Sequence, residues 1–458
     1  MRTTMGTRRS ARVVVGGALA LLGTSCHSAD PHSPDETPLD NIVRIEGAHG
    51  TVCAHRSDDV PTCWGGRAHY EIIGDDEPAS EGRLDPPSLP FEHLEVVGNA
   101  CGLYKGNVYC WGRDHGDGRL GYGFGDSEIT LEQALERGGV AIGEPIIALD
   151  SGASSHIGTS QVCALGESGD VYCWGFGSNL GYPGIMIVGD DETPAQIGPV
   201  ELGGRAVAID TGGAGTCAML DDGALRCWGN ASLAGGVKIG DDEDPADGPL
   251  IELGATIHAV SVGDGHACAI VGDGEVKCWG FDPFGALGRP GIAGASPSAS
   301  LEPVEIGGRA VEIVAQVESS CARLEGGEIM CWGSGSYGKM GHPWHPSCEV
   351  YGPAFYSCSA DPSCCIGDDE TPLAAGPVDL PEPARDLVGL SAGACILAES
   401  GGVVCWGGSF FGLLGDGMAP ACSAGLEIGP SCLVDPRCCI GDDETPTQAG
   451  ERAWVPLD

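Results

Sequence analysis

The triplet Cys-Trp-Gly occurs seven times in this chain, beginning at Cys63, Cys110, Cys173, Cys227, Cys278, Cys331 and Cys405. Repeats spaced by about fifty residues constrain the fold strongly, because a unit of that size is one supersecondary element that must stack on its neighbours to bury its apolar face. In the fourth unit, GPVELGGRAVAIDTGGAGTCAMLDDGALRCWGN breaks at glycines into four short apolar stretches, Val200–Leu202, Ala206–Asp210, Thr216–Leu220 and Ala224–Trp228. These read as strands, and the sixth and seventh units repeat the order. Four strands per unit is one propeller blade. The expected fold is all-β, a seven-bladed β-propeller with Cys-Trp-Gly on the closing strand of each blade.

The cysteines support the hairpin independently. Six units carry Cys, nine residues and Cys, whereas the second has eight residues between Cys101 and Cys110. Facing across an antiparallel hairpin, Cys217 and Cys227 leave Asp221, Asp222 and Gly223 as the turn, and the shorter pair leaves Lys105 and Gly106. Both are permitted hairpin loops with Gly where positive φ is needed. Cross-strand disulfides at non-hydrogen-bonded pairs are therefore expected for Cys53–Cys63, Cys101–Cys110, Cys163–Cys173, Cys217–Cys227, Cys268–Cys278, Cys321–Cys331 and Cys395–Cys405. Zinc is the competing use, but the spacing is not that of a knuckle and one hairpin offers two ligands, so no metal is assigned. Trp, next to the bridged Cys, points to the opposite sheet face and fills the space between blades. The first unit lacks a PVEL-like strand and the chain ends in AWVPLD. Pairing of Trp454 to Leu457 with the first blade is expected to latch the ring.

The stretch GDGHACAIVGDGEVKCWGFDPFGALGR, Gly263 to Arg289, resembles the regulator of chromosome condensation repeat, the unit of a seven-bladed propeller family. That unit runs Gly, often His, an apolar strand, a DG turn, a second apolar strand, WG and a G-x-LG loop. The loop stands here at Gly118–Gly121, in variant form at Gly177–Gly181, and at Gly285–Gly288 and Gly412–Gly415. The resemblance covers roughly residues 40 to 458. The family's His survives as His266, with Gly215 in the equivalent place of the fourth unit and Ser320 in that of the sixth. What the resemblance implies is the fold and a tendency to bind proteins. Nuclear members are exchange factors for a small GTPase, a role that an exported acidic chain does not fit, and no catalytic residue carries over.

Export is read from two features. Twenty-three cysteines point to an oxidising compartment. Arg2, Arg8, Arg9 and Arg12 form a basic head before the apolar run Val13–Leu22, too short to span a bilayer as a mature helix. The run ends in LLGTSC, which resembles a lipoprotein cleavage box with Cys26 as the lipidated residue, although its Leu stands one place further away than usual. A twin-arginine reading of Thr7–Ser10 is the lesser one. Setting Cys26 aside leaves an even 22 cysteines. The expected organisation is a signal peptide over residues 1–26, a linker over 27–40, and one propeller over 41–458 with insertions near 342–366 and 418–440. The expected location is the bacterial cell envelope, anchored at the outer membrane or surface, as a monomer.

Charge narrows the ligand. The chain carries −42, and its first 25 residues hold four Arg and no acid, which leaves −46 beyond them. Nucleic acid bound through phosphates needs a basic surface and is excluded. Five loops after Cys-Trp-Gly hold a copy of IGDDETP, at Ile73–Pro78 in shortened form, Val188–Pro194, Ile239–Pro245, Ile366–Pro372 and Ile440–Pro446. Equivalent propeller loops share one side, so that side should be strongly negative. Calcium is one reading, but adjacent Asp-Asp-Glu is expected to aim its carboxylates apart, unlike an alternating calcium loop. The other reading is a turn motif in which Gly bends, Asp caps backbone N–H groups and Pro starts an extended segment. The two insertions share Cys, nine residues, Cys, five residues, Cys-Cys, and the first carries Trp344, Tyr351, Phe355 and Tyr356 as contact candidates. Their disulfide connectivity has three possibilities each. No HExxH motif is present, and His49, His156 and His266 precede hairpin strands as structural residues. The sequence therefore reads as a non-enzymatic scaffold for a protein or glycan partner, without a cofactor. The alternatives are an enzyme with a site in the channel, or a calcium-binding surface protein.

Overall fold

The computed structural model describes residues 42–48, 51–56, 61–65, 83–84, 89–96, 99–114, 116–125, 128–154, 159–281, 284–343, 365–408, 439–440 and 445–455. They form seven antiparallel sheets set in a ring. The innermost strands are Ile42–Ala48, His93–Val96, Ile146–Ser154, Ala206–Gly212, Ile257–Val262, Ala310–Ala315 and Ala384–Leu390. Each is followed by a second strand and by a third that ends in Cys-Trp-Gly. Six blades add a two-residue outer strand, such as Ile187–Val188 or Cys365–Ile366, and in the fourth blade a single bridge between Gly229 and Ile239 takes its place.

The outer edge corrects the sequence reading. Cys-Trp-Gly lies on the third strand rather than the closing one. Val200–Leu202 is not a strand of the fourth blade: the Val200 N–H donates to Val171 O of the third blade at 2.7 Å. Val304 reaches back to Val276, and Val378 to Ile329, in the same way. In the third and sixth blades the outer edge of the third strand is thus covered by two short pieces, with the helical turns Pro194–Ile197 and Pro372–Ala375 between them. Where the pieces part, side chains reach the strand edge, so Tyr182 Oη accepts from the Cys173 N–H at 3.1 Å.

Closure differs too. The Val455 N–H donates to Val403 O at 2.9 Å, and Trp454 bridges Val404, so the C-terminal segment edges the seventh blade and not the first. The first and seventh blades abut directly. The Ile45 N–H donates to Asp386 Oδ2 at 3.1 Å, and Ile42, Ile45 and Trp64 share one apolar cluster with Leu387, Val388 and Leu390.

The hairpins match the expected register. Cys217 faces Cys227 and Cys101 faces Cys110, and all seven hairpin pairs are bonded, with Cα atoms 4.0–4.1 Å apart. That spacing belongs to non-hydrogen-bonded pairs. Lys105 and Gly106 take φ of 50° and 78°, the left-handed pair that a two-residue turn requires.

The seven repeat tryptophans are buried to 2% exposure or less. Each of four lies against the last glycine of the preceding blade's loop: Gly121 with Trp174, Gly181 with Trp228, Gly288 with Trp332 and Gly341 with Trp406. A Cβ on Gly288 would stand 2.9 Å from Trp332 Nε1, and its φ is +66°. This packing is the physical content of the G-x-LG loop. Trp332 Nε1–H donates to Ala286 O in that loop at 2.7 Å. The equivalent of His266 in the sixth unit is Ser319, not Ser320, because His266 faces Gly280 as Ser319 faces Gly333.

Cys26, His49, His156, the aromatic residues of the first insertion and the acidic loops at Ile73–Pro78 and 441–444 lie outside the described residues. Cys365, the last cysteine of the first insertion, is disulfide-bonded. Among the described residues no helix is long and apolar enough to cross a membrane.

Candidate functional site

Two sets of acids stand out, one in the channel and one on a face. The residue opposite the hairpin Cys on the innermost strand is Glu46, Glu95, Asp150, Asp210, Ser261, Val314 and Val388 in successive blades. An acid in such a strand, as in RIEG, ALDS or AIDT, is the sequence signal for this set. Each polar member reaches the next blade. Glu46 Oε1 accepts from the Leu94 N–H at 2.8 Å, Glu95 Oε2 from Ser151 Oγ at 2.9 Å, Asp150 Oδ2 from the Thr211 N–H at 2.7 Å, and Asp210 Oδ1 from the Val262 N–H at 2.6 Å. Ser261 Oγ accepts from the Ala315 N–H at 3.0 Å. The carboxylates are clamps between blades. A cavity of about 110 Å³, with Asp150, Asp210, Ser261 and Gln316 among its lining residues, remains in the channel.

Glu46 is the most heavily engaged. Arg44 Nη1 lies 2.6 Å from its Oε2, His55 Nε2 2.5 Å from Oε1, and His93 Nδ1 3.6 Å from Oε2. A guanidinium only donates, so Arg44 Nη2, 3.1 Å from His55 Nδ1, makes that nitrogen an acceptor and puts the imidazole proton on Nε2, facing Glu46. Burial works against the Glu46 charge, but His55 and Arg44 outweigh it and hold the carboxyl well below the usual range.

The second set is on the face where third strands end. In three loops, Asp190–Glu192, Asp241–Glu243 and Asp368–Glu370, one carboxylate oxygen from each residue lies within 4.8 Å of the others. The expectation that adjacent acids aim apart is corrected: Gly189 and Gly367, at φ of 106° and 97°, bend the chain so that the three acids converge. Crowding shows in their protonation. Desolvation, then the neighbouring Asp residues, push Glu192 up to about 7 and Glu370 up to about 8. Asp368 rises to about 6, chiefly by desolvation. The rest of the motif is a helix start: Thr193 and Thr445 form capping boxes with Gln196 and Gln448, and Pro194 and Pro446 take the first helical turn. Pro therefore opens a helical turn and not an extended segment.

His266 is fully buried, its Nε2 2.8 Å from Ser320 Oγ, and burial lowers it to about 4. Ser320 Oγ–H donates to Ala286 O at 3.1 Å. The pair ties the fifth blade to the sixth, away from solvent.

The model of the Regulator of chromosome condensation (RCC1) repeat matches residues 257–286, the first three strands of the fifth blade and the start of the loop after them. The chain is similar to the mitochondrial RCC1 domain-containing protein RUG3 of Arabidopsis thaliana, 28% identical over 57% of each chain. It is also similar to the Ultraviolet-B receptor UVR8 of Arabidopsis thaliana, 28% identical over 56% of each chain. Among solved structures, yeast RCC1 (Prp20) bound to Kap60 superposes with a TM-score of 0.55 at 16% identity, covering 85% of this chain and 87% of that one. The chain shares the seven-bladed propeller fold, and its fifth blade matches the RCC1 repeat. The sequence match spans little more than half the length of RUG3 or UVR8, and the solved structures establish the fold alone. In this chain the G-x-LG loop and the Trp of the next blade are a packing pair.

Proposed function

We propose that the protein is an exported, lipid-anchored, non-enzymatic scaffold that presents its propeller loops to a protein partner. The observation that carries this reading is the state of the channel: its acids are engaged between blades, whereas the loops at the third-strand ends hold exposed, variable side chains. Similar proteins support it, since yeast RCC1 was solved bound to Kap60 and UVR8 is a receptor. The anchor rests on the apolar run and on Cys26. Cys26→Ala is expected to move the protein from the membrane to the soluble fraction. A wild-type protein already found in the soluble fraction would reject the anchor and leave export to be judged separately. Capture of the same partner by native protein, and its loss when the loops but not the channel are altered, tests the scaffold.

A second reading, calcium held by the acidic loops, is favoured by the convergence of three carboxylates in each triad. Thermal unfolding in calcium and in sodium at equal ionic strength separates the two. A turn motif gives equal melting temperatures, and a calcium site gives a higher one in calcium.

A further inference from the structure

The face that carries the acidic triads also carries exposed apolar side chains, and the loops of the third and fourth blades hold both. Met186, Val237 and Ile292 occupy the loops after Cys-Trp-Gly in the third, fourth and fifth blades, at 53%, 53% and 39% exposure. Phe281, at the end of the fifth blade's third strand, is 61% exposed. Each loop contacts the next blade's triad where a triad is present. The Gly184 N–H, two residues before Met186, donates to Asp241 O at 2.6 Å, and the Gly291 N–H, next to Ile292, donates to Asp368 O at 2.6 Å. Exposed Met and Phe beside clustered carboxylates are costly to leave facing water, and single-sign charge around apolar anchors is the pattern of a docking surface.

We propose that this face, over the third to sixth blades, docks a cationic amphipathic segment of the partner protein, with Met186, Val237, Phe281 and Ile292 receiving its apolar side and the triads its Lys and Arg residues. The surface rests on the scaffold reading and names the partner's chemistry. Charge complementarity selects the occupant: with −42 overall and triads at the rim, an acidic or neutral segment would be repelled or unpaired, and a polycation without apolar side chains would leave Phe281 and Met186 in water. The opposite face has its own exposed apolar residues, Val43, Ile147 and Val207, at the starts of innermost strands. No triad of converging acids accompanies them among the described residues.

The probe is a designed Lys/Leu peptide of about 18 residues with its leucines on one helical face, compared with a scramble of the same composition. Titration into the intact protein is followed by fluorescence anisotropy. Expected are saturable binding that weakens with salt, weaker binding of the scramble, and a loss of more than about tenfold in the Met186→Ser, Val237→Ser, Phe281→Ser, Ile292→Ser variant. The Val43→Ser, Ile147→Ser, Val207→Ser variant should bind as wild type does. All four altered anchors are exposed, so their melting temperatures should stay near wild type. Should the quadruple variant melt early, Phe281→Ser alone and a variant with Asp241, Asp242 and Glu243 made amides carry the test. Equal binding of the scramble, no loss in the anchor variants, loss in the opposite-face variant, or no peptide binding would each overturn the proposal. If native protein still captures an envelope partner in that case, the scaffold reading stands and only this surface falls.

Discussion

Glu46 and Glu370 are both repeat-borne acids beside other charges, and they are in opposite states. Glu46 sits at the inner seam of the first and second blades, where an arginine, a histidine and a backbone N–H converge on it, so its charge is held. Glu370 sits in a face loop where burial opposes its charge, and Asp369 and Asp368 beside it add to the opposition. An acid that faces donors fastens the ring, and an acid that faces other acids leaves the surface in need of a counter-charge. The same residue type thus fastens blades in the channel and gathers like charge on the face.

The strongest way to break this contrast is Glu46→Gln. It removes a charge that Arg44 and His55 address from one side and the Leu94 N–H from the other, and it leaves a half-buried guanidinium uncompensated. A loss on the order of 3 kcal/mol is expected by urea unfolding. Asp210→Asn, which weakens a single clamp to Val262, should cost about 1 to 2 kcal/mol. Equal costs would show that the inner acids are interchangeable and that the Glu46 cluster has no special weight.

Removing residues 454–458 probes the outer edge of the seventh blade, away from these clamps. Trp454 and Val455 cover the third strand of the seventh blade, and Trp454 lies over Gly402, where a Cβ would stand 2.3 Å from the ring. The ring closes elsewhere, through Ile45 and Asp386. Truncation should therefore cost about 2 kcal/mol, as loss of buried apolar area and one edge bond, while unfolding stays a single cooperative transition. Loss of cooperativity would mean that the terminal segment latches the whole ring.

The sequence made the blade count, hairpin register and disulfide pairs legible because all three follow from local spacing: Cys101 to Cys110 is one residue shorter than its counterparts, and its turn is one residue shorter. The outer edge was misread because Val200 lies in one repeat and pairs with Val171 of the one before, and no local pattern states which neighbour an apolar stretch will join. The clamps were missed for the same reason. Asp150 is an unremarked acid in a strand until the next blade places the Thr211 N–H beside it. The triads were seen but their geometry was not, since convergence depends on the positive φ of Gly189 and Gly367 rather than on residue order.

The smallest expected effect is also the one that separates the two acid sets most directly. Glu46 has a folded pKa below its ordinary value, so its contribution is present above the ordinary carboxylate pKa and is lost as pH falls through the folded one. Glu192 and Glu370 are raised to about 7 and about 8, so the fold favours their neutral forms, and that contribution is present below the ordinary carboxylate pKa and lost as pH rises through those values. Stability should therefore peak in mildly acidic solution, with an acid limb set by the channel and an alkaline limb set by the face. Glu370→Gln should flatten the alkaline limb and leave the acid limb alone. The gain at pH 8 should stay below about 0.5 kcal/mol, because the loop is partly exposed and solvent screens its charges. Melting temperatures measured across the pH range in wild type and variant read this directly. An alkaline limb unchanged by Glu370→Gln, or one that vanishes together with the acid limb, would show that the two sets do not titrate as separate parts of the ring.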